Sequence, residues 1–244
     1  MQGCPPAGMS GLMDVVRAAV KYWIYLRMAV PKGPRFNSKF QYLRRAFGSR
    51  PFRLLDIGAG NFSASRTVAA FPHCEYYGLD ISRDYNNSKE DFAAMKGFFE
   101  LDLTRLDFSA LPDNFYDGIW IVHVIEHLHN GDEVIMALLP KLRAGGYMYV
   151  EYPGRKSTRL PSMAETLNFY DDPTHVRIYS VPELTHIFET HHCRVLNSGT
   201  RRNPWFILGM PIRILARWIK GKKLIGNIFW DVLGFAEFLY VRKN

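Results

Sequence analysis

The residues best suited to proton chemistry fall within one short stretch. His123, Glu126 and His127 are three and four residues apart, so a helical turn beginning at His123 would set two imidazoles and a carboxylate on one face. An imidazole titrates near neutral pH and can accept a proton from a hydroxyl, which makes His127 the first candidate for a general base and distant His175 the second. The plain alternative is that Glu126 and His127 cap a helix and hold it in place. A second polar run, Asp171-Asp172-Pro173-Thr174-His175-Val176-Arg177, supplies Asp172, His175 and Arg177 as candidate substrate-binding residues. They can hydrogen-bond sugar hydroxyls or grip a phosphate, arginine being the side chain that meets a planar anion at two points. An ion-paired structural loop accounts for that run equally well.

A different chemistry is written into residues 54–62, LLDIGAGNF. An apolar strand ends in Asp56 and passes through Gly58, Ala59 and Gly60 to Asn61 and Phe62. The glycines let the backbone approach a nucleoside without a Cβ in the way. A dinucleotide turn would carry glycine at position 63, where this chain has Ser63, and would avoid an acid just ahead of a pyrophosphate. A carboxylate there suits a ligand with a cationic amino-acid end, such as S-adenosylmethionine. Asp80, followed by Ile81, and Asp102, followed by Leu103, close the next two apolar runs. Asp80 stands far enough beyond Gly60 for a helix and a strand to intervene, so its carboxylate can meet a ribose diol while Asp102 faces an adenine amino group. Any one of these acids alone reads equally well as a solvated strand end. Three in succession behind a glycine turn do not.

Positioning these groups takes alternating strands and helices. Short apolar runs at 53–57, 75–79, 97–101, 118–122, 147–151, 194–198 and 237–242 predict seven strands, separated by helical stretches at 62–71, 84–95, 132–142 and 181–191. That alternation predicts an α/β fold built on a mostly parallel sheet. Ahead of it, an amphipathic helix is expected over 9–30 and a second over 38–47. The expected organisation is therefore amphipathic N-terminal helices over 1–50 and one domain over 51–244, with an insertion at 201–234. That insertion interleaves Trp205, Phe206, Leu208, Ile212, Leu215 and Trp218 with Arg213, Arg217, Lys220, Lys222 and Lys223.

With its motifs assembled, the chain resembles the class I S-adenosylmethionine-dependent methyltransferases. The matching stretches are DIGAG at 56–60, GLDIS at 78–82, LDL at 101–103, YDGIWIVHVIEHL at 116–128 and LLPKLRAGGYMYVEYP at 138–153. The resemblance implies a Rossmann-like seven-stranded sheet with an antiparallel last strand and helices on both faces. It also implies S-adenosylmethionine as cofactor, bound by Asp56, Gly58, Ala59, Gly60, Asn61, Phe62, Asp80, Ile81, Asp102, Leu103 and His123. Many members carry a small residue where this chain has Phe62. HVIEHL together with DDPTHVR looks like bacterial enzymes that act on surface glycans and lipid-linked saccharides. The set His123, Glu126, His127 and His175 is also similar to the metal-binding ExxEH plus His of small-RNA terminal 2′-O-methyltransferases and to ExxEH in ubiquinone-pathway O-methyltransferases. His123 stands where those have glutamate. A divalent metal is a second expectation for these four residues.

Charge and composition bound the partners. Residues 1–53 carry ten Lys or Arg and one acid, 54–200 twelve against twenty, and 201–244 nine against two, within a formal net charge of +8. An acidic middle between basic ends suits a catalytic core whose flanks meet an anionic partner. The aliphatic and aromatic residues among those cations favour an anionic membrane surface over nucleic acid. The apolar stretch from Leu12 to Val30 is broken by Asp14, Arg17, Lys21 and Arg27 and does not read as a membrane span or a secretory signal. Cys4, Cys74 and Cys193 lie far apart without CxxC spacing, consistent with a reducing compartment. The expectation is a cytoplasmic enzyme, peripheral on the inner membrane face, that methylates a hydroxyl of a glycan or lipid-linked acceptor. An RNA 2′-O-methyltransferase and a non-catalytic cofactor-binding scaffold are the alternatives.

Overall fold

The computed structural model describes residues 38–83 and 86–244. The amphipathic helix expected over 9–30 lies outside them, as do Asp84 and Tyr85 at the start of the helix expected over 84–95.

Helix α1 (Ser38–Phe47) buries Phe40, Leu43, Ala46 and Phe47, the spacing of one helical face. It is followed by β1 (Phe52–Ile57), α2 (Ser63–Ala70), β2 (Cys74–Asp80), α3 (Lys89–Ala94), β3 (Met95–Glu100) and β4 (Tyr116–Val122). Then come α4 (Gly131–Leu138), β5 (Leu142–Pro153), α5 (Val181–Thr190), β6 (Cys193–Thr200), α6 (Pro204–Leu208), α7 (Met210–Ile219), α8 (Trp230–Leu233) and β7 (Ala236–Lys243). The seven strands form one sheet in the order β3-β2-β1-β4-β5-β7-β6. The first five are mutually parallel, and β7 runs antiparallel to both β5 and β6. This is the Rossmann-like sheet that the alternation of elements and the motifs predict. No helix of the described residues is long and apolar enough to cross a membrane.

Boundaries differ where local chemistry intervenes. α3 starts at Lys89 because Ser88 and Asp91 form a reciprocal capping box there. The helix expected over 132–142 stops at Leu138, since Pro140 lacks an N–H and turns the chain into a 3-10 segment, Leu139–Lys141. β5 then starts five residues early, at Leu142, and is kinked past Gly145, whose φ is +73°, with a register shift against β4.

Two cores cover the sheet. One gathers Leu55, Ile121, Val150 and Leu239 beneath α4 and α5, the other Leu54, Tyr76, Trp120 and Tyr149 beneath α1 and α2. In the second, Phe47 stacks on Phe52 with ring centroids 4.2 Å apart. A Cβ at Gly118 would lie 2.7 Å from the Trp120 ring and 3.1 Å from that of Phe47, so the strand must carry glycine there. α1 therefore belongs to the domain core rather than to a separate N-terminal segment ending at residue 50.

Its polar tie to the sheet is Lys39. The ammonium lies 2.5 Å from Asp56 Oδ2, an oxygen that also accepts hydrogen bonds from Ser63 Oγ and Tyr76 OH, each at 2.6 Å. Asp56 is 1% exposed. Truncating it removes the oxygen shared by the half-buried Lys39 ammonium, the Ser63 hydroxyl and the buried Tyr76 hydroxyl. Asp56→Ala is expected to cost about 3 kcal/mol of stability in urea denaturation, and the double variant Lys39→Met with Asp56→Ala distinctly less than the two single costs added together.

Candidate active site

Successive parallel strands bring the glycine turn and two acids to one edge. In sheet order, β3 ends beside Asp102, β2 at Asp80, β1 at the Gly58 turn and β4 beside His123. Gly58 has φ +74°, and a Cβ on it would lie 2.6 Å from Val124 Cγ2, so both backbone freedom and lack of a side chain are required. Its N–H and that of Ala59 donate to Leu79 O at 2.8 and 3.1 Å, tying the turn to β2. Gly60 is buried, while Asn61 and Phe62 both adopt the left-handed conformation and face solvent. Phe62 is 42% exposed at the N-cap of α2 and carries Arg66 over its ring, 5.6 Å from the centroid. An exposed aromatic beside the turn is consistent with a face left open for a ligand.

The three acids differ in what they already hold. Asp80 is half-buried, with Oδ1 accepting the Ile81 N–H at 2.7 Å. Burial raises its pKa, against the pull of the Ile81 and Ser82 amides. Its other oxygen fits the hydroxyl-binding role. Asp56 carries Lys39 on the same oxygen that receives Ser63 and Tyr76, and so fixes α1 and α2 to the sheet. Lys39 thus supplies a cation at the carboxylate that the sequence assigns to the cationic end of a ligand. Asp102 caps the 3-10 turn Leu103–Arg105 through Thr104, which also lowers its pKa. Leu103 packs into the core, whereas Ile81 is 69% exposed.

Beyond the glycine turn the edge carries a line of buried charge. His123 has φ +55° and places Nδ1 3.1 Å from Glu126 Oε1. Its Nε2 lies 3.3 Å from Glu151 Oε1, close enough for attraction though not aligned for a hydrogen bond. Burial works against the charged ring, but Glu126 and Glu151 outweigh it and raise the pKa to about 9. Glu151 in turn accepts from Arg201 Nη1 at 2.7 Å and from Tyr149 OH at 2.5 Å. Burial opposes ionisation there too, yet Arg201, His123 and Tyr149 bring its pKa down to about 2. Arg201 completes the line with a two-point contact to Asp231, both distances 3.1 Å. Trp230 and Phe235 cover the His123 ring, with centroids 5.1 and 6.3 Å away. Both ring nitrogens of His123 thus face carboxylates, and the grouping that could hold a metal ion is Glu126, His127 and His175, without His123.

His127 is set up differently. The chain turns in a 3-10 segment, Ile125–His127, so His123 and His127 diverge instead of sharing a helical face. His127 Nδ1 lies 2.8 Å from Thr174 Oγ1, whose hydroxyl donates to Asp172 Oδ1 at 2.6 Å. Because the threonine proton goes to the aspartate, its oxygen accepts from His127 Nδ1–H, which leaves the lone pair on Nε2. His175 does the same with its Nδ1 at 2.6 Å from Phe169 O. The two rings are 4.8 Å apart. Glu126, His127 and His175 each offer a ligand atom within 4.8 Å of the others, and Glu126 Oε2 is buried without a hydrogen-bond partner. These three residues fit a first-row divalent ion, with both second ring nitrogens satisfied in the manner such sites use.

The 171–177 run divides in two. Asp171 Oδ2 accepts the N–H groups of Met163, Leu167 and Asn168, which, against burial, hold its pKa at about 2 and knot the preceding loop. Asp172 and His175 stay at the site. Arg177 does not serve as an anion clamp: it contacts Asp132 at 2.6 and 3.0 Å, Glu183 at 3.0 Å and His129 O at 2.9 Å. Its guanidinium is a structural pin between the loop, α4 and α5. Sequence reasoning passed over Glu151, Thr174, Arg201, Trp230 and Asp231. An acid inside the apolar run MYVEYP was the available signal for the first of them.

A glycine turn after β1, acids at the next two strand ends and an antiparallel seventh strand define the methyltransferase class of Rossmann-like folds. The sequence model of the methyltransferase domain family matches residues 32–198, and the chain belongs to that family. It is 27% identical over 144 residues to the uncharacterized methyltransferase YcgJ of Bacillus subtilis (strain 168), an alignment covering 57% of this chain and 56% of that protein. The aligned part thus spans little more than half of that relative. Among solved structures, an S-adenosylmethionine-dependent methyltransferase from Archaeoglobus fulgidus is similar, with TM-score 0.54, 19% identity, and 91% of this chain and 99% of that one covered. So is the 1,6-didemethyltoxoflavin-N1-methyltransferase of Burkholderia thailandensis, at TM-score 0.53 and 16% identity over 100% and 93% of the two chains.

The charge line carries its own pH signature. His123, raised from 6.5 to about 9, contributes stability that is complete below pH 6.5 and is lost as pH rises through 9. Glu151, lowered from 4.5 to about 2, contributes above pH 4.5 and loses its part as pH falls through 2. In Glu151→Gln, NMR titration of the His123 ring is expected to show a pKa well below that of the wild type. The decline in stability between pH 6.5 and 9 should shrink with it.

Proposed function

We propose that the protein transfers a methyl group from S-adenosylmethionine to a hydroxyl of a glycan or lipid-linked saccharide. Family membership supports methyl transfer, and the cofactor follows from the glycine turn with Asp80 beside it. The Burkholderia relative in fold was solved with S-adenosylhomocysteine bound. The observation that carries the acceptor chemistry is His127, whose tautomer is held by Thr174 and Asp172 so that Nε2 is free to take a proton. The acceptor oxygen attacks the methyl carbon in line with the sulfonium, the C–S bond breaks, and the electron pair stays on sulfur as the neutral thioether leaves. The hydroxyl proton passes to His127 Nε2. His175, 4.8 Å from His127 between ring centroids, and Asp172 offer hydrogen bonds to neighbouring hydroxyls of a sugar.

A second reading concerns the same residues. Glu126, His127 and His175 would hold a first-row divalent ion, which would supply Lewis-acid polarisation of an acceptor oxygen. This reading extends equally to the 2′-hydroxyl of RNA.

Calorimetric titration tests the cofactor: S-adenosylmethionine is expected to bind, and Asp80→Ala to weaken it by about 1–3 kcal/mol through loss of a charged hydrogen bond. With labelled cofactor and a panel of glycan, lipid-linked saccharide and RNA acceptors, label should enter the saccharides. His127→Ala should lower kcat by about 10²- to 10⁴-fold while leaving cofactor affinity unchanged. Label in RNA alone, or full activity in His127→Ala, would sink the reading. Activity abolished by a chelator and restored by manganese would favour the metal form.

A further inference from the structure

From the arrangement of α6 and α7 we infer that the 201–234 insertion docks the protein on an anionic lipid bilayer. Trp205 and Leu208 on α6 lie three residues apart, and on α7 Ile212 and Leu215, then Trp218 and Ile219, follow at steps of three or four, so each helix carries an apolar stripe. All six are exposed, Leu208 to 71% and Trp218 to 75%. No residue of either helix is buried. Of the thirteen large apolar side chains that stand exposed among the described residues, eight fall between Trp205 and Leu224.

The polar side chains take the opposite direction. Arg213 turns toward the body of the protein, donating from Nη2 to Phe206 O at 2.6 Å and contacting Ile228 O at 3.3 Å, and its burial lowers its pKa. Arg217 folds back onto Lys223 O at 2.7 Å. A helix lying on a domain and facing water hides its apolar stripe and shows its charges. α7 turns Ile212, Leu215, Trp218 and Ile219 outward and its arginines inward, and an outward apolar face of this kind marks a surface that meets an apolar medium.

Charge selects that medium. Residues 201–234 hold seven Lys or Arg and one acid, and Lys222 and Lys223 are exposed at the end of α7 beside Trp218. Apolar side chains entering the acyl boundary, with lysines level with the headgroups, fit a surface of anionic phospholipid. RNA would call for stacking faces spaced along a cationic groove, whereas this stripe is mostly aliphatic. The insertion is fastened to the active site at its base through Arg201, Asp231 and Trp230, so docking would hold that edge of the sheet close to the bilayer. The inference does not depend on which acceptor is methylated.

Co-sedimentation of the full chain with phosphatidylcholine vesicles, with and without phosphatidylglycerol, tests it without reading methyl transfer. Binding is expected only with the anionic lipid and should weaken as salt is raised. Leu208→Ser, Leu215→Ser and Trp218→Ser combined should lower vesicle affinity by about tenfold or more. Lys222→Glu with Lys223→Glu, a change confined to exposed lysines, should lower it by about tenfold at low salt. Vesicle binding unchanged in both variants would overturn the inference. So would no vesicle binding with single-stranded RNA bound in its place, or a dimer in sedimentation equilibrium that the triple variant dissolves.

Discussion

A buried charge must meet an opposite one or forfeit several kcal/mol, and this constraint organises the acceptor side of the sheet. Glu126, His123, Glu151, Arg201 and Asp231 alternate in sign along one line. They come from the segment after β4, the end of β5, the residue after β6 and the start of α8. Each charge therefore fastens a different stretch of chain to its neighbour. The left-handed backbone at His123, costly for a histidine elsewhere, is held by carboxylates on either side and by Trp230 and Phe235 over the ring.

The same line separates two histidines that are only four residues apart. His123 lies between two carboxylates, which favour its charged form. His127, turned away by a 3-10 segment, meets a threonine hydroxyl already committed to Asp172 and keeps a lone pair on Nε2. One residue type thus meets two environments, the first ring tied between carboxylates and the second turned to a threonine hydroxyl. Glu126 touches both halves, with Oε1 on His123 and Oε2 left without a partner in the interior.

The insertion joins this arrangement from outside. Arg201 and Asp231 stand near its two ends, so a single two-point ion pair closes the loop from which α6 and α7 project. Below that clasp, Trp230 Nε1 donates to Thr166 O at 2.6 Å and Gly226 N–H to Ala164 O at 2.8 Å, pinning the return segment to the loop beyond β5. The outward apolar stripe is consequently carried on a base shared with the active site.

The strand and helix alternation, the glycine turn with its following acids, and the inversion of charge between the middle of the chain and its ends are all legible in the order of residues. Periodicity is a local property, and a turn that needs glycine or a strand that needs apolar residues declares itself within a few positions. The partners of those residues were decided only in three dimensions. Lys39 reaches Asp56 across 17 positions, Arg201 reaches Glu151 across 50, and Thr174 reaches His127 across 47. No spacing rule covers such distances. For the same reason Arg177, by type an anion grip, became a pin between carboxylates, and His123, by type a base, came to lie between Glu126 and Glu151. The ionisation of a side chain depends on the charges that face it, and here those charges arrive from other elements of the fold.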